Sequence, residues 1–206
     1  MDIAITYAVT ACIEHVELDK LLPVLKKHKR DQDEILVQVD SDSVTKEVSD
    51  VIAKHGIKEH KFPLNQDFAS FKNNLKKISK GYYIFQIDAD EIPSIEIINN
   101  LPSIIQAHPS ADLFLVPRVN IVEGITEDHI KKWNWKQNSN GWINWPDYQY
   151  RIFKNNFNIK WQNKVHEYIS GTQNILKLPD KKEYALQHTK SISKQESQNK
   201  LYEKIV

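Results

Sequence analysis

Gly81-Tyr82-Tyr83-Ile84-Phe85-Gln86-Ile87-Asp88-Ala89-Asp90-Glu91 runs almost without interruption from apolar residues into three carboxylates. An apolar run on both sides of the pleat is what a strand needs when both faces of a parallel sheet are covered. The carboxylates then fall at that strand's carboxyl end. Reading outward towards the N-terminus, Phe68, Phe71, Leu75 and Ile78 form one helical stripe ahead of Gly81, and Ile57 to Phe62 reads as a strand. Val44, Val48, Val51 and Ile52 mark another helix, closed by Gly56 in the position of a C-terminal cap, after a strand from Glu34 to Val39. Ile3 to Thr10 and then Leu18, Leu21, Leu22 and Leu25, within a helix from Val16 to Lys27, repeat the pattern once more. Four strand–helix units in succession predict an α/β fold, an open and mostly parallel sheet flanked by helices. Such sheets bind ligands outside the carboxyl ends of their strands, where Thr10, Asp40, Pro63 and Asp88 are expected.

Beyond Pro93 the regularity fades. Ser94 to Gln106 reads as a helix interrupted at Pro102, and Leu113 to Val119 as a strand. Asn120 to Pro146 reads as a long polar loop rich in tryptophan, of the kind that more often serves function than packing. Short strands are expected at Tyr148 to Phe153, Ile159 to Trp161 and Val165 to Ile169, with a closing helix from Ser193 to Val206. At 206 residues the chain suits a single domain with a small C-terminal extension at 191–206.

Lys and Arg number 28 against 27 Asp and Glu, a net charge of +1, so no global field draws the chain to nucleic acid, and none is expected as a partner. The single cysteine, Cys12, forms no internal disulfide, and Met1-Asp2 leads straight into a strand-like run; both favour a cytoplasmic location. No apolar run reaches the roughly 20 residues of a spanning helix. Lys26-Lys27-His28-Lys29-Arg30 reads either as a peripheral contact with anionic lipid or as a solvated helix end.

Asp-x-Asp occurs three times, so context must choose. Asp31/Asp33 lies in a charged loop and is expected to stay solvated, and Asp40/Asp42 follows a strand. Asp88/Asp90 ends the most apolar strand, where clustered negative charge is costly without a cation or a hydrogen-bond network. A hard divalent ion, Mn²⁺ or Mg²⁺, which takes a carboxylate or two plus substrate phosphates, is the expected compensation. The competing reading is a carboxylate pair capping the next helix.

Phe68-Ala69-x-x-Lys72-Asn73-x-Leu75 followed by the Gly81 to Glu91 segment resembles the central block of glycosyltransferase family 2. Arg151-Ile152-Phe153-Lys154-Asn155 and Trp161-x-x-x-Val165-His166-Glu167 resemble the "RLF(R/K)N … W-x-G-x-V-H-E" pattern of a bacterial and phage branch of that family. Asn163 stands where that branch usually has Gly, and Thr10-Ala11-Cys12-Ile13-Glu14 stands in place of the usual Asn-Glu after the first strand. The resemblance implies a GT-A, Rossmann-like fold, with a nucleotide-sugar-binding half at 1–92 and an acceptor-side half at 93–190. It implies inverting, metal-dependent transfer from a nucleotide sugar, a UDP-sugar foremost, to a glycan or other hydroxyl acceptor. It places Thr10, Ala11, Asp40, Lys72, Asp88 and Ala89 around the nucleotide. Asp40 would accept a hydrogen bond from a ring N–H of the base, its alternative being a helix cap. Lys72 would lie near the diphosphate, Asp88 would reach the ribose or the metal through water, and Asp90 would ligate the metal.

His188 is preferred over His166 to complete the metal site, since it follows a strand-like segment and precedes Thr189-Lys190. Asp147 and Glu167 are the candidates for the base that deprotonates the acceptor, with the narrower preference for Asp147. Trp133, Trp135, Trp142 and Trp145 read equally as an acceptor platform for sugar rings and as a satellite core. A dehydrogenase is excluded by five glycines and no G-x-G-x-x-G. A haloacid-dehalogenase phosphatase is excluded by the position of the motif, a calcium loop by Pro93 at its sixth position, and a zinc protease by Ser170 where a second histidine is needed. The alternative from another class is a non-catalytic carbohydrate-binding module built on the tryptophan-rich segment.

Overall fold

The computed structural model describes residues 3–205, with the backbone alone for 201–205. Met1, Asp2 and Val206, on which two of the expectations above touch, lie outside the described residues. The chain runs through β1 (Ile5–Ala11), α1 (His15–His28), β2 (Glu34–Asp40), α2 (Lys46–Lys54), β3 (Glu59–Phe62), α3 (Phe68–Ile78) and β4 (Tyr83–Asp88). It continues through β5 (Glu91–Pro93), α4 (Ile95–Ala107), β6 (Leu113–Glu123), α5 (Glu127–Lys132) and β7 (Ile143–Lys154). It closes with β8 (Lys160–Gln162), β9 (Tyr168–Ser170), β10 (Ile175–Lys177), β11 (Leu186–Ser191) and α6 (Ile192–Ile205).

The main sheet has the order β3-β2-β1-β4-β7-β6-β11-β5, with β10 added beside β6, while β8 and β9 pair separately. The first four strands are parallel, β7 is antiparallel to both its neighbours, and β11 is parallel to β6. β1 leads on one side to β2 and on the other to β4, so the strand order reverses between β1 and β4. A crevice opens at such a reversal. In register across it, Thr10 pairs with Asp88.

The pleat divides the central strands between two cores. Tyr83, Phe85 and Ile87 pack with Leu18, Leu21, Leu22 and Leu25 of α1, Val48 and Ile52 of α2 and the apolar face of α4. Ile84 faces the other way, joining Ala8, Leu75 of α3, Phe153 and Trp161. Alternation continues to Gln86 and Asp88, so the strand that builds the core also aims Asp88 at the α3 side. Gly81 makes the entry to β4: a Cβ there would stand 2.4 Å from the backbone nitrogen of Thr6.

Three expectations are corrected. α4 passes through Pro102 without a break, because Ile97, Ile98, Leu101 and Ile105 are buried on both sides of it and their packing outweighs one lost helical bond. The stretch 120–146 is not one loop: β6 extends to Glu123, α5 carries a Thr126 capping box, and β7 begins at Ile143. Val165 to Ile169 is a strand only from Tyr168, since Asn163 (φ 73°) and His166 (φ 52°) take left-handed conformations that break the extended chain. Among the described residues no helix is long and apolar enough to cross a membrane. Of the basic stretch at 26–30, Lys26 donates to the His55 carbonyl and Arg30 grips Asp33.

Asp33 is buried, contrary to the solvated reading of Asp31/Asp33. Its Oδ1 accepts the Ile5 backbone N–H at 2.9 Å and its carboxylate is held by the Arg30 guanidinium. It pins the start of β1, a structural task at the end of the sheet opposite Asp88.

Candidate functional site

At the carboxyl ends of β1, β2 and β4 the chain gathers its charge. Glu91, fully buried, is the anchor: its Oε1 accepts from Arg118 at 2.9 Å and Arg151 at 2.6 Å, and its Oε2 accepts from Arg151 Nε at 2.9 Å. Arg151 also reaches Asp88 Oδ2 at 2.7 Å, while Thr10 Oγ1 donates to Asp88 Oδ1 at 2.9 Å. Lys72, buried on α3, lies 3.4 Å from Asp88 and 2.6 Å from Glu167 and sits over the Trp161 ring. A buried charge survives only when paired and hydrogen-bonded, and this network meets that condition. Burial alone would raise the Asp88 carboxyl, but Arg151 and Lys72 outweigh it and hold the group well below the usual carboxylate range.

Asp90 points away from this network. Its Oδ2 is 3.1 Å from Lys194 Nζ and 3.4 Å from His188 Nε2. Burial pushes its carboxyl up, and the neighbouring His188 and Lys194 more than reverse that, leaving it ionised. The tautomer of His188 follows from its other partners. Asn120 Nδ2 donates to Asp147 Oδ2 at 2.7 Å, which leaves Asn120 Oδ1 as the acceptor facing His188 Nδ1 at 2.8 Å. His188 therefore donates from Nδ1 and turns Nε2 towards the Asp90 carboxylate, which accepts a hydrogen bond from Nε2 when that nitrogen carries a proton and would share a cation with it when it does not.

With Nε2 unprotonated, two acceptors face each other there, an arrangement that a cation between them stabilises. Two neighbouring ligands of an octahedral ion with bonds of about 2.1 Å stand roughly 3.0 Å apart, close to the separation of this pair. A histidine ligand whose second nitrogen is fixed by an outer hydrogen bond is the usual construction of a metal site. The donor set thus fits a divalent ion that keeps open positions for phosphate and water. Among the described residues no three His, Cys, Asp or Glu side chains gather to hold a metal. His166 accordingly does not join the pair; it sits on its left-handed turn against a cavity wall.

Two cavities meet at these residues. One, of about 410 Å³, is lined by Thr10, Ala11, Asp40, Leu64, Phe68 and Ala89. The other, of about 440 Å³, extends past Asn120, Trp135, Ile143, Asp147, Trp161 and His188. Lys72, Asp88, Asp90 and Glu167 line both. Asp40 sits in the first with its oxygens engaged: Ser43 and the Leu64 N–H donate to it, and these bonds outweigh burial to keep its carboxyl low. None of these bonds caps the following helix, whose N-cap is Thr45, so Asp40 does not play the helix-cap part of the two readings. Lys72, expected near the diphosphate or else as an exposed helical lysine, is buried and locked between Asp88 and Glu167.

Asp147 and Glu167 differ in freedom. Asp147 accepts from Arg118 Nε and Nη2, Asn120 and Gln149, and although burial would raise its carboxyl, Arg118 and Asn120 keep it low. Glu167 accepts only from Lys72, through Oε1, among the described residues. The four tryptophans of the 120–146 stretch are half-buried and pair off, Trp133 with Trp135 at 4.8 Å and Trp142 with Trp145 at 4.9 Å between ring centroids. Trp135 alone of the four lines the larger cavity.

Sequence reading missed Arg118, Asn120 and Lys194, and singled out Glu91 and Lys190 only as neighbours of Asp90 and His188. Arg118 and Asn120 had a signal, two polar residues at strand spacing inside the apolar run from Leu113 to Val122. Lys190 lines the larger cavity, its ammonium pushed down to about 8 by burial and by Arg118.

No protein-family model and no curated protein sequence matches the chain. Solved structures do match. S. aureus TarS 1-349 in complex with UDP superposes with a TM-score of 0.64 at 16% identity, over 90% of this chain and 60% of that one. TarS 1-349 without that ligand gives 0.62 at 15% identity over 92% and 60%. Its complex with UDP-GlcNAc gives 0.60 at 15% identity over 92% and 58%. The chain thus spans about 60% of the length of these structures, and it shares with them the GT-A fold.

Proposed function

We propose that this chain is a metal-dependent glycosyltransferase, related to family 2, that moves a sugar with inversion from a nucleoside-diphosphate donor, UDP-linked first among them, to a hydroxyl acceptor. The observation that carries the reading is the Asp90–His188 pair. It is an ionised carboxylate and an imidazole nitrogen 3.4 Å apart, at the seam of two cavities. The fold shared with a protein crystallised with UDP and with UDP-GlcNAc supports it.

In this reading the nucleoside occupies the cavity of Thr10, Ala11, Asp40 and Ala89, and the diphosphate lies over Asp88 and Asp90. Asp90 and His188 would hold Mn²⁺ or Mg²⁺, which would supply Lewis-acid compensation for charge on the departing diphosphate. Lys194 is the protein's own cation at the same carboxylate and remains beside the leaving group. Asp88, fixed by Arg151 and Thr10, orients the ribose side. The acceptor enters the larger cavity, where Glu167 takes its hydroxyl proton.

Glu167 displaces Asp147 as the preferred base. A base needs a lone pair directed at the acceptor, and the four donors on Asp147 use its oxygens. Asp147 becomes a positioning residue, which through Asn120 sets the His188 tautomer. A panel of UDP-, GDP- and ADP-sugars with Mn²⁺, monitored by release of nucleoside diphosphate, tests the reading. One nucleotide should support release, and release should stop on chelation. Glycan binding with no response to any nucleotide would instead establish the carbohydrate-binding module.

A further inference from the structure

Lys190 stands apart from the other cations of the larger cavity. Lys72, Arg118, Arg151 and Lys194 each have a carboxylate oxygen within 3.4 Å. Lys190, half-buried in the same wall, makes no ion pair among the described residues, and its ammonium donates to the side-chain oxygen of Gln198 at 2.8 Å. Asp90 and Asp147 act on it only from beyond ion-pair distance, and an ammonium drawn out of water without a direct ion pair is costly, so an anion from outside the chain would be stabilised there.

Its location indicates where that anion belongs. His188 and Lys190 are alternate residues of β11, paired with Asn120 and Val122 of β6, so they point to one face about 7 Å apart. Lys190 is thus one pleat beyond the Asp90–His188 pair. It lines the cavity of Trp135, Ile143 and Asn144 and not the cavity of Asp40 and Ala11. Around it α6 contributes the amides of Gln195, Gln198 and Asn199, groups that hydrogen-bond hydroxyls and anionic oxygens alike.

We propose that Lys190 is the anchor of an anion subsite on the acceptor side, and that the acceptor is a hydroxyl compound carrying a phosphate or carboxylate. This deepens the nucleotide-sugar reading and rests on it for the word acceptor. The shared chemistry is an anionic oxygen group, and the second source to be separated is the donor's own diphosphate.

Calorimetry on the full chain separates them. UDP with Mg²⁺ is titrated first, and inorganic phosphate is then titrated into the UDP-saturated protein, in which the donor's phosphate positions are filled. The wild type should bind phosphate under these conditions. Lys190→Met, which keeps the stem and removes the charge, should weaken that binding by about tenfold or more while leaving UDP affinity within about twofold. Lys190→Arg should retain phosphate binding, and melting curves for both variants establish that they fold. A tenfold fall in UDP affinity in Lys190→Met would assign the lysine to the donor and overturn the proposal. So would phosphate that fails to bind the UDP-loaded wild type, or that binds Lys190→Met equally. Should UDP not bind the wild type, the nucleotide-sugar reading falls, and phosphate titrated into the free protein decides the Lys190 subsite by the same comparison.

Discussion

Glu167 and Asp147 are both carboxylates on the wall of one cavity, and their hydrogen bonds separate them. With Asp147 closed off by Arg118, Asn120 and Gln149, Glu167→Gln should lower turnover by about 10²-fold or more with donor affinity kept. Asp147→Ala should act through His188 instead: with no acceptor in that place Asn120 loses its orientation, so metal affinity falls along with rate. Turnover and Mn²⁺ titrations on both variants check this, and an active Glu167→Gln returns the base to Asp147. A second single-residue effect concerns the turn that carries Glu167. Asn163 occupies φ 73°, in the left-handed region where glycine is easiest and asparagine next. This gives a physical reason for glycine at the matching place of the family pattern. Asn163→Ala should cost about 1 kcal/mol and Asn163→Gly should be neutral or stabilising, as read from urea midpoints.

At the scale of elements, the motif residues turn out to be clamps between segments. Asn73 of α3 exchanges two hydrogen bonds with the backbone of Trp161 in β8, and Asn155, after β7, donates to the carbonyls of Ser79 and Gly81. The basic-Asn pair and the final Asn of Arg151 to Asn155 therefore fix β8 to α3 and β7 to the start of β4. Arg151 ties β7 to the tip of β4 and to β5. Arg151→Met would leave Glu91 and Asp88 without their main cation, which should destabilise by about 3–5 kcal/mol in chemical denaturation.

The sign of the pH dependence follows from Asp88, whose folded carboxyl is held below its unfolded value. The stabilisation is complete above the ordinary carboxylate range and is lost as pH falls below about 4. The variant should therefore lose less stability on acidification than the wild type. The first four strand–helix units were legible because burial on two faces leaves a strong apolar signature at periods of 2 and 3.6. The far half was not: β5 is three residues long, and the insertion of β11 between β6 and β5 depends on long-range pairing that no local pattern announces. Lys190 and Lys194 reach the site only through that pairing, so the contacts each makes could not be read from the chain.

For the molecule as a whole, the fold concentrates ionised groups where β1 and β4 part and then compensates nearly all of them internally. Glu91, Asp88, Asp147 and Glu167 have their cations within the chain, Asp90 is met by Lys194 and His188, and the place left for an added cation is between Asp90 and His188. A protein arranged this way should bind a nucleoside diphosphate only together with a divalent ion. The most direct measurement is a calorimetric titration of UDP in Mn²⁺ and in EDTA, on the wild type and on Asp90→Asn. Binding should be at least about tenfold tighter with Mn²⁺, and that difference should vanish in Asp90→Asn with the fold intact. Equal affinity for UDP in Mn²⁺ and in EDTA, or a variant that keeps the full metal effect, would contradict this.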